Sequence, residues 1–127
     1  MRRIAIIVGL LPVALACNDS GAPRKHVMLG VQEVLAPTEL ALNVELVATI
    51  TVITGGCKAF DRFVTSRSGN RLTVEARGFD AAGGQLCPDD IRYEPREYRS
   101  TVPPANPVVL AVRQPNGDEI VRQIQIR

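Results

Sequence analysis

From Leu42 to Val52 the chain reads LNVELVATITV, and its residues alternate in character. Leu42, Val44, Leu46, Ala48, Ile50 and Val52 share one parity, while Asn43, Glu45, Val47, Thr49 and Thr51 share the other. Successive side chains of a strand point to opposite faces, so this run of period two predicts a half-buried β-strand. Residues 38–48, TELALNVELVA, also contain good helix formers and give a rival helical reading. The β-branched run TITVI that follows favours the strand.

The same pattern extends through the body. Val27 to Leu35 is a candidate strand closed by Pro37. Lys58 to Thr65 and Arg71 to Arg77 read as a hairpin about Ser68-Gly69-Asn70. After the turn Ala81-Ala82-Gly83-Gly84, Ile91 to Val102 is a strand in which Pro95 marks an edge or a bulge. Pro107 to Arg113 and Glu119 to Ile126 flank Gln114-Pro115-Asn116-Gly117-Asp118, and Asn-Gly between apolar runs is a strong hairpin signal. Six or seven short strands and no convincing helix predict an all-β fold: a small antiparallel two-sheet sandwich, with a small β-barrel as the alternative. In strand number and turn spacing the body resembles the immunoglobulin-like domains of many exported bacterial proteins. Tyr98 is the candidate for the tyrosine corner of such domains, although the cysteine usually found two residues on is absent.

Residues 1–16 follow a different logic. Arg2 and Arg3 precede a mainly apolar run from Ile4 to Leu15, and Ala14-Leu15-Ala16 supplies a small-x-small cleavage pattern. That is the layout of a secretory signal peptide. The run falls short of the ~20 residues that a helix needs to cross a bilayer. Cys17 follows directly, and Ala14-Leu15-Ala16-Cys17 resembles the lipobox of bacterial lipoprotein precursors. The resemblance implies that Cys17 is lipidated and begins the mature chain. The family prefers Leu three positions before the cysteine and a small residue two before, where Ala14 and Leu15 stand, so ordinary signal-peptidase cleavage remains the alternative. The expected organisation is a signal peptide over 1–16, a lipid-anchored tether over 17–25 and a β-sandwich over 26–127. The polar stretch NDSGAPRK, Asn18 to Lys25, suits a tether.

Export changes how charge and cysteine are read. Of the fifteen basic residues, Arg2 and Arg3 lie in the leader; the remaining thirteen equal the thirteen acidic ones. A net-neutral body lacks the field that non-specific nucleic-acid binding requires, so no nucleic-acid partner is expected. The aromatics are Phe60, Phe63, Phe79, Tyr93 and Tyr98, which leaves Val, Ile, Leu and Ala to build the core. With Cys17 assigned to the anchor, Cys57 and Cys87 remain, and in an oxidising compartment they are expected to form a disulfide.

Candidate chemistry is sparse. His26 is the only histidine and lies beside the tether, so neither a catalytic base nor a zinc set is expected. Gly55-Gly56 and Gly83-Gly84 lack a phosphate-cradling frame, and no cofactor is expected. Asp80, Asp89 and Asp90 are a conceivable calcium cluster, with turn-forming aspartates as the plainer reading. The candidate binding face is RYEPREYR, where Arg92, Tyr93, Arg96, Tyr98 and Arg99 combine residue types favoured at interaction hot spots. Glu94 and Glu97 lie among them, so ion pairs on a solvated sheet face are the rival reading. The expected function is a non-catalytic binding or structural module of the cell envelope. It would be held to the membrane by an N-terminal lipid and would meet an unknown protein or carbohydrate partner. The alternative is a periplasmic or secreted enzyme or enzyme inhibitor, using Asp89 with Asp90 or Glu94 with Glu97, or presenting the stiff segment Pro103-Pro104-Ala105-Asn106-Pro107.

Overall fold

A computed structural model describes residues 23–127, which form nine strands. These are β1 (Arg24–Met28), β2 (Val31–Leu35), β3 (Glu39–Leu40), β4 (Leu46–Thr54), β5 (Ala59–Ser68), β6 (Arg71–Ala81), β7 (Arg92–Ser100), β8 (Val108–Arg113) and β9 (Glu119–Ile126). Two open sheets result. One has the order β2-β4-β7; the other holds β1, β6, β8, β9 and β3 in that order, with β5 also paired to β6. β5 takes one edge of β6, while β1 and β8 share the other, at Arg77–Ala81 and Arg71–Val74 respectively. The chain is thus the all-β two-sheet sandwich that the alternation predicts, and neither sheet closes into a barrel.

Strand number and direction are richer than the sequence reading. Val27 to Leu35 does not stay in one sheet. Leu29 N–H donates to Ala76 O of the larger sheet at 2.8 Å, and Gly30 O accepts from Ile53 N–H of the smaller sheet at 2.9 Å. One run of chain therefore supplies β1 to one sheet and β2 to the other. Gln114 stabilises the crossing, because its side chain accepts from Val31 N–H (2.9 Å) and donates to Val31 O (2.6 Å). The two-residue β3 accounts for the rest of the difference from six or seven strands. Five pairings are antiparallel; β3–β9 and β6–β8 are parallel. The second follows from connectivity, since β6 passes through β7 in the opposite sheet before returning as β8.

The core lies between the sheets. β4 contributes Leu46, Ala48, Ile50 and Val52; β6 contributes Leu72, Val74 and Ala76; β8 contributes Val108, Leu110 and Val112. This aliphatic composition is the one expected from the scarcity of aromatics. The alternation fails at its beginning, however. Asn43 adopts the left-handed backbone region (φ 63°), and Val44 N–H donates to Ala41 O at 3.2 Å. Asn tolerates this conformation better than most residues, so a turn replaces both the helix and the first residues of the strand. Leu42 and Val44 are consequently 65% and 46% exposed.

The strand directions define two poles. β4 ends near Cys57 and β7 begins soon after Cys87, while β1 pairs with the last residues of β6 at this same pole. At the other pole lie the 41–45 turn, the 101–107 loop and the end of β9. With a rise of about 3.3 Å per residue, the nine residues of β4 hold the poles about 26 Å apart.

Candidate functional site

The expected disulfide is present. Cys57 and Cys87 are bonded, with their Cα atoms 5.2 Å apart, and they join the β4–β5 turn to the β6–β7 loop. The approach of these segments depends on Gly55, which has a positive φ of 109° and where a Cβ would lie 2.4 Å from Asp90 O. Asp90 completes the junction by accepting from Gly56 N–H at 2.6 Å and from Arg92 Nε at 2.9 Å. These two bonds, the backbone one first, hold the Asp90 carboxyl below its ordinary pKa.

The arginine–tyrosine stretch does not make one face. Alternation along β7 sends Arg92, Arg96 and Tyr98 to the side that faces the other sheet, and Tyr93, Glu97 and Arg99 to the opposite side. Tyr98 is buried, so it separates from the proposed binding set and belongs to the core. Its hydroxyl shares a 2.7 Å hydrogen bond with Thr65 Oγ1, and its ring meets Phe63 edge-on at 5.5 Å. Phe60 stacks at a tilt on Phe63, and the Arg96 guanidinium lies 5.1 Å over Phe60. Together these side chains bridge the edge strands β5 and β7 of the two sheets. Glu94 accepts from Arg96 (2.8 Å) and Thr54 Oγ1 (2.8 Å), and those bonds, in that order, lower its pKa. Glu97 faces the other way and pairs with Arg99 at 2.9 Å.

Of the carboxylates proposed for catalysis, Glu94 and Glu97 lie on opposite faces of β7, and Asp90 is committed to Gly56 and Arg92 while Asp89 is exposed. Asp80, the third aspartate of the conceivable calcium cluster, accepts from Ala81 N–H at 2.7 Å. Among the described residues, no three His, Cys, Asp or Glu side chains are placed to hold a metal ion. Cys17 lies outside the described residues.

A cleft of about 690 Å³ opens at the pole opposite the disulfide. One wall is the 41–45 turn, with Leu42, Val44 and Glu45; the other is the 101–106 loop, with Val102, Pro103 and Pro104; Ile126 forms part of the lining. The walls are fixed by backbone pairing. Leu42 N–H donates to Arg127 O at 2.8 Å, which prolongs the parallel β3–β9 ladder beyond Leu40. Asn106 imitates a strand residue: its side chain accepts from Ile126 N–H (3.0 Å) and donates to Ile126 O (3.1 Å). Arg67 bonds Thr101 across the sheets. Arg99 donates to Glu45 at 2.9 Å and so carries one side chain of the arginine–tyrosine stretch to the rim. Its pKa is raised by Glu97 and then Glu45.

A largely apolar concavity with a few placed polar groups at its rim has the size and character of a small-ligand or side-chain pocket. Sequence reasoning misses it because Leu42 and Val44 continue the core parity of β4; the signal for their release is Asn43, a turn-forming residue inside an otherwise regular alternation. The molecule is thus defined as a disulfide-bonded β-sandwich with an apolar cleft at one end. No family model matches the chain, and no curated protein and no solved structure does so either.

Proposed function

We propose that this protein is a non-catalytic, lipid-anchored module of a bacterial cell envelope that binds an apolar ligand group in the end cleft. The Arg-rich start, the apolar run and the Ala14-Leu15-Ala16-Cys17 sequence support export and lipidation of Cys17. The disulfide is the bond expected of an oxidising compartment. One observation carries the binding reading: the cleft and the start of the folded body lie at opposite poles. A chain held to a membrane through residues before Pro23 therefore presents the cleft to the space beyond.

The cleft is tested with anilinonaphthalene sulfonate, whose emission rises in apolar sites. Leu42 and Val44 are more exposed than core residues, so Leu42→Asp and Val44→Asp leave the sandwich intact. Burying a leucine side chain contributes about 1.5–3 kcal/mol, so Leu42→Asp weakens the probe by at least about tenfold. Equal binding by the wild type and both variants, or no binding by the wild type, removes the cleft from the account.

A further inference from the structure

The disulfide pole exposes apolar side chains that the core does not use. Leu86 is fully exposed, and Ile91 is 69% and Tyr93 53% exposed. They lie on or beside the loop that the Cys57–Cys87 bond holds in place. The chain enters the fold against this same loop: Pro23 O accepts from Ala82 N–H and from Gln85 Nε2, both at 3.0 Å. Gln85 is the immediate neighbour of Leu86. The six residue-to-residue steps from Cys17 to Pro23 reach at most about 20 Å when extended. A lipid on Cys17 therefore confines this pole, rather than the cleft pole, to the bilayer surface. The charges nearby suit that surface. Lys25 and Lys58, the chain's only lysines, are both exposed here. Of the nearby acids, Asp80 turns back onto Ala81 N–H and Asp90 is held by Gly56 and Arg92, while Asp89 is exposed and is outnumbered by Lys25, Lys58 and the equally exposed Arg24.

We propose that this pole is a membrane-facing tip, in which Leu86 and Ile91 enter the lipid surface while Lys25 and Lys58 meet anionic headgroups. The inference rests on the anchored reading above, and it adds a second contact that orients the domain with its cleft outward. A lipid tether alone permits tumbling about the tether; an apolar tip flanked by cations does not, because rotation would return Leu86 to water.

The chain has no tryptophan, so L86W places a single indole at the tip, where no packing is lost. The chain from Cys17 onward is coupled through that thiol to a maleimide lipid, since Cys57 and Cys87 are already bonded. The vesicles contain equal parts of phosphatidylethanolamine and phosphatidylglycerol. Penetration of about 5–10 Å brings the indole to the depth of acyl-chain bromines, so its emission shifts to the blue and brominated lipid quenches it about twofold. L35W, on the smaller sheet towards the cleft pole, stays unquenched. Replacing phosphatidylglycerol with phosphatidylcholine reduces the quenching of L86W. L86W that still emits as in water on coupled vesicles overturns the tip, as does equal quenching of L86W and L35W. Equal quenching of L86W on both lipid mixtures overturns the role of the lysines. Because coupling is chemical, these results stand apart from natural lipidation, which is read by the mass of the native protein.

Discussion

Removing the disulfide with Cys57→Ser and Cys87→Ser should cost the domain a large part of its stability while leaving the cleft intact. The bond spans 30 residues of sequence. Releasing that constraint returns about 3.6 kcal/mol of conformational entropy to the unfolded chain at 25 °C. For a folded body of this size the unfolding entropy is about 0.22 kcal/mol/K, so the thermal midpoint should fall by about 16 °C. Calorimetry of the double variant beside the wild type measures this directly. The geometry adds a second requirement. The cleft lies about 26 Å from the bond, across the length of β4, so probe binding below the new midpoint should match the wild type. A fall of less than about 3 °C would show that the unfolded chain is already confined without the bond, against the entropy reasoning. A preserved midpoint together with lost binding would contradict the two-pole description altogether.

Three other perturbations have defined outcomes. Gly78→Ala places a Cβ 2.1 Å from Ala59 O and 2.7 Å from Leu29 Cδ1, so urea denaturation should show a loss of about 2–3 kcal/mol or failure to fold; a neutral result would mean that β5 can withdraw from β6. Tyr98→Phe removes the bond to Thr65 but keeps the ring against Phe63, and should cost about 1 kcal/mol by the same assay, whereas Tyr98→Ala should cost about 3–5 kcal/mol. Glu94 has a lowered pKa in the folded state, so its contribution is present above the unfolded carboxylate range and is lost as pH falls through the folded value. Glu94→Gln should therefore flatten the acid side of a stability profile below about pH 4.5, and an unchanged profile would remove the bonds from Arg96 and Thr54 as the cause.

The sandwich is legible in the sequence because burial on one face of a strand forces period two, and β4 and β6 obey it. The hairpin at Asn116-Gly117 is legible for a local reason, a turn that needs a positive φ at Gly117. The disulfide is legible because Cys57 and Cys87 are the two cysteines that follow Cys17. What the alternation does not encode is the partner of each strand edge. Nothing in Val27 to Leu35 states that the chain changes sheets at Leu29–Gly30, because that depends on Ala76, Ile53 and Gln114, all remote in sequence. The arginine–tyrosine stretch misleads for a related reason. Its composition resembles a binding face, yet Tyr98 and Arg96 turn toward Phe60, Phe63 and Thr65 of β5, which only the packing of two sheets brings near. The cleft is hidden by continuity of pattern, since Leu42 and Val44 have the parity of core residues and lose their place to a turn at Asn43.

The most direct test of an anchored module is the intact mass of the native protein recovered from the membrane fraction of a bacterial host, beside a Cys17→Ala variant. The expected mass is that of a chain beginning at Cys17 and carrying a diacylglyceryl group, absent from the variant, which should leave the membrane fraction. A chain that retains residues 1–16, or one that begins at an unmodified Cys17 and is found in the soluble fraction, would contradict it.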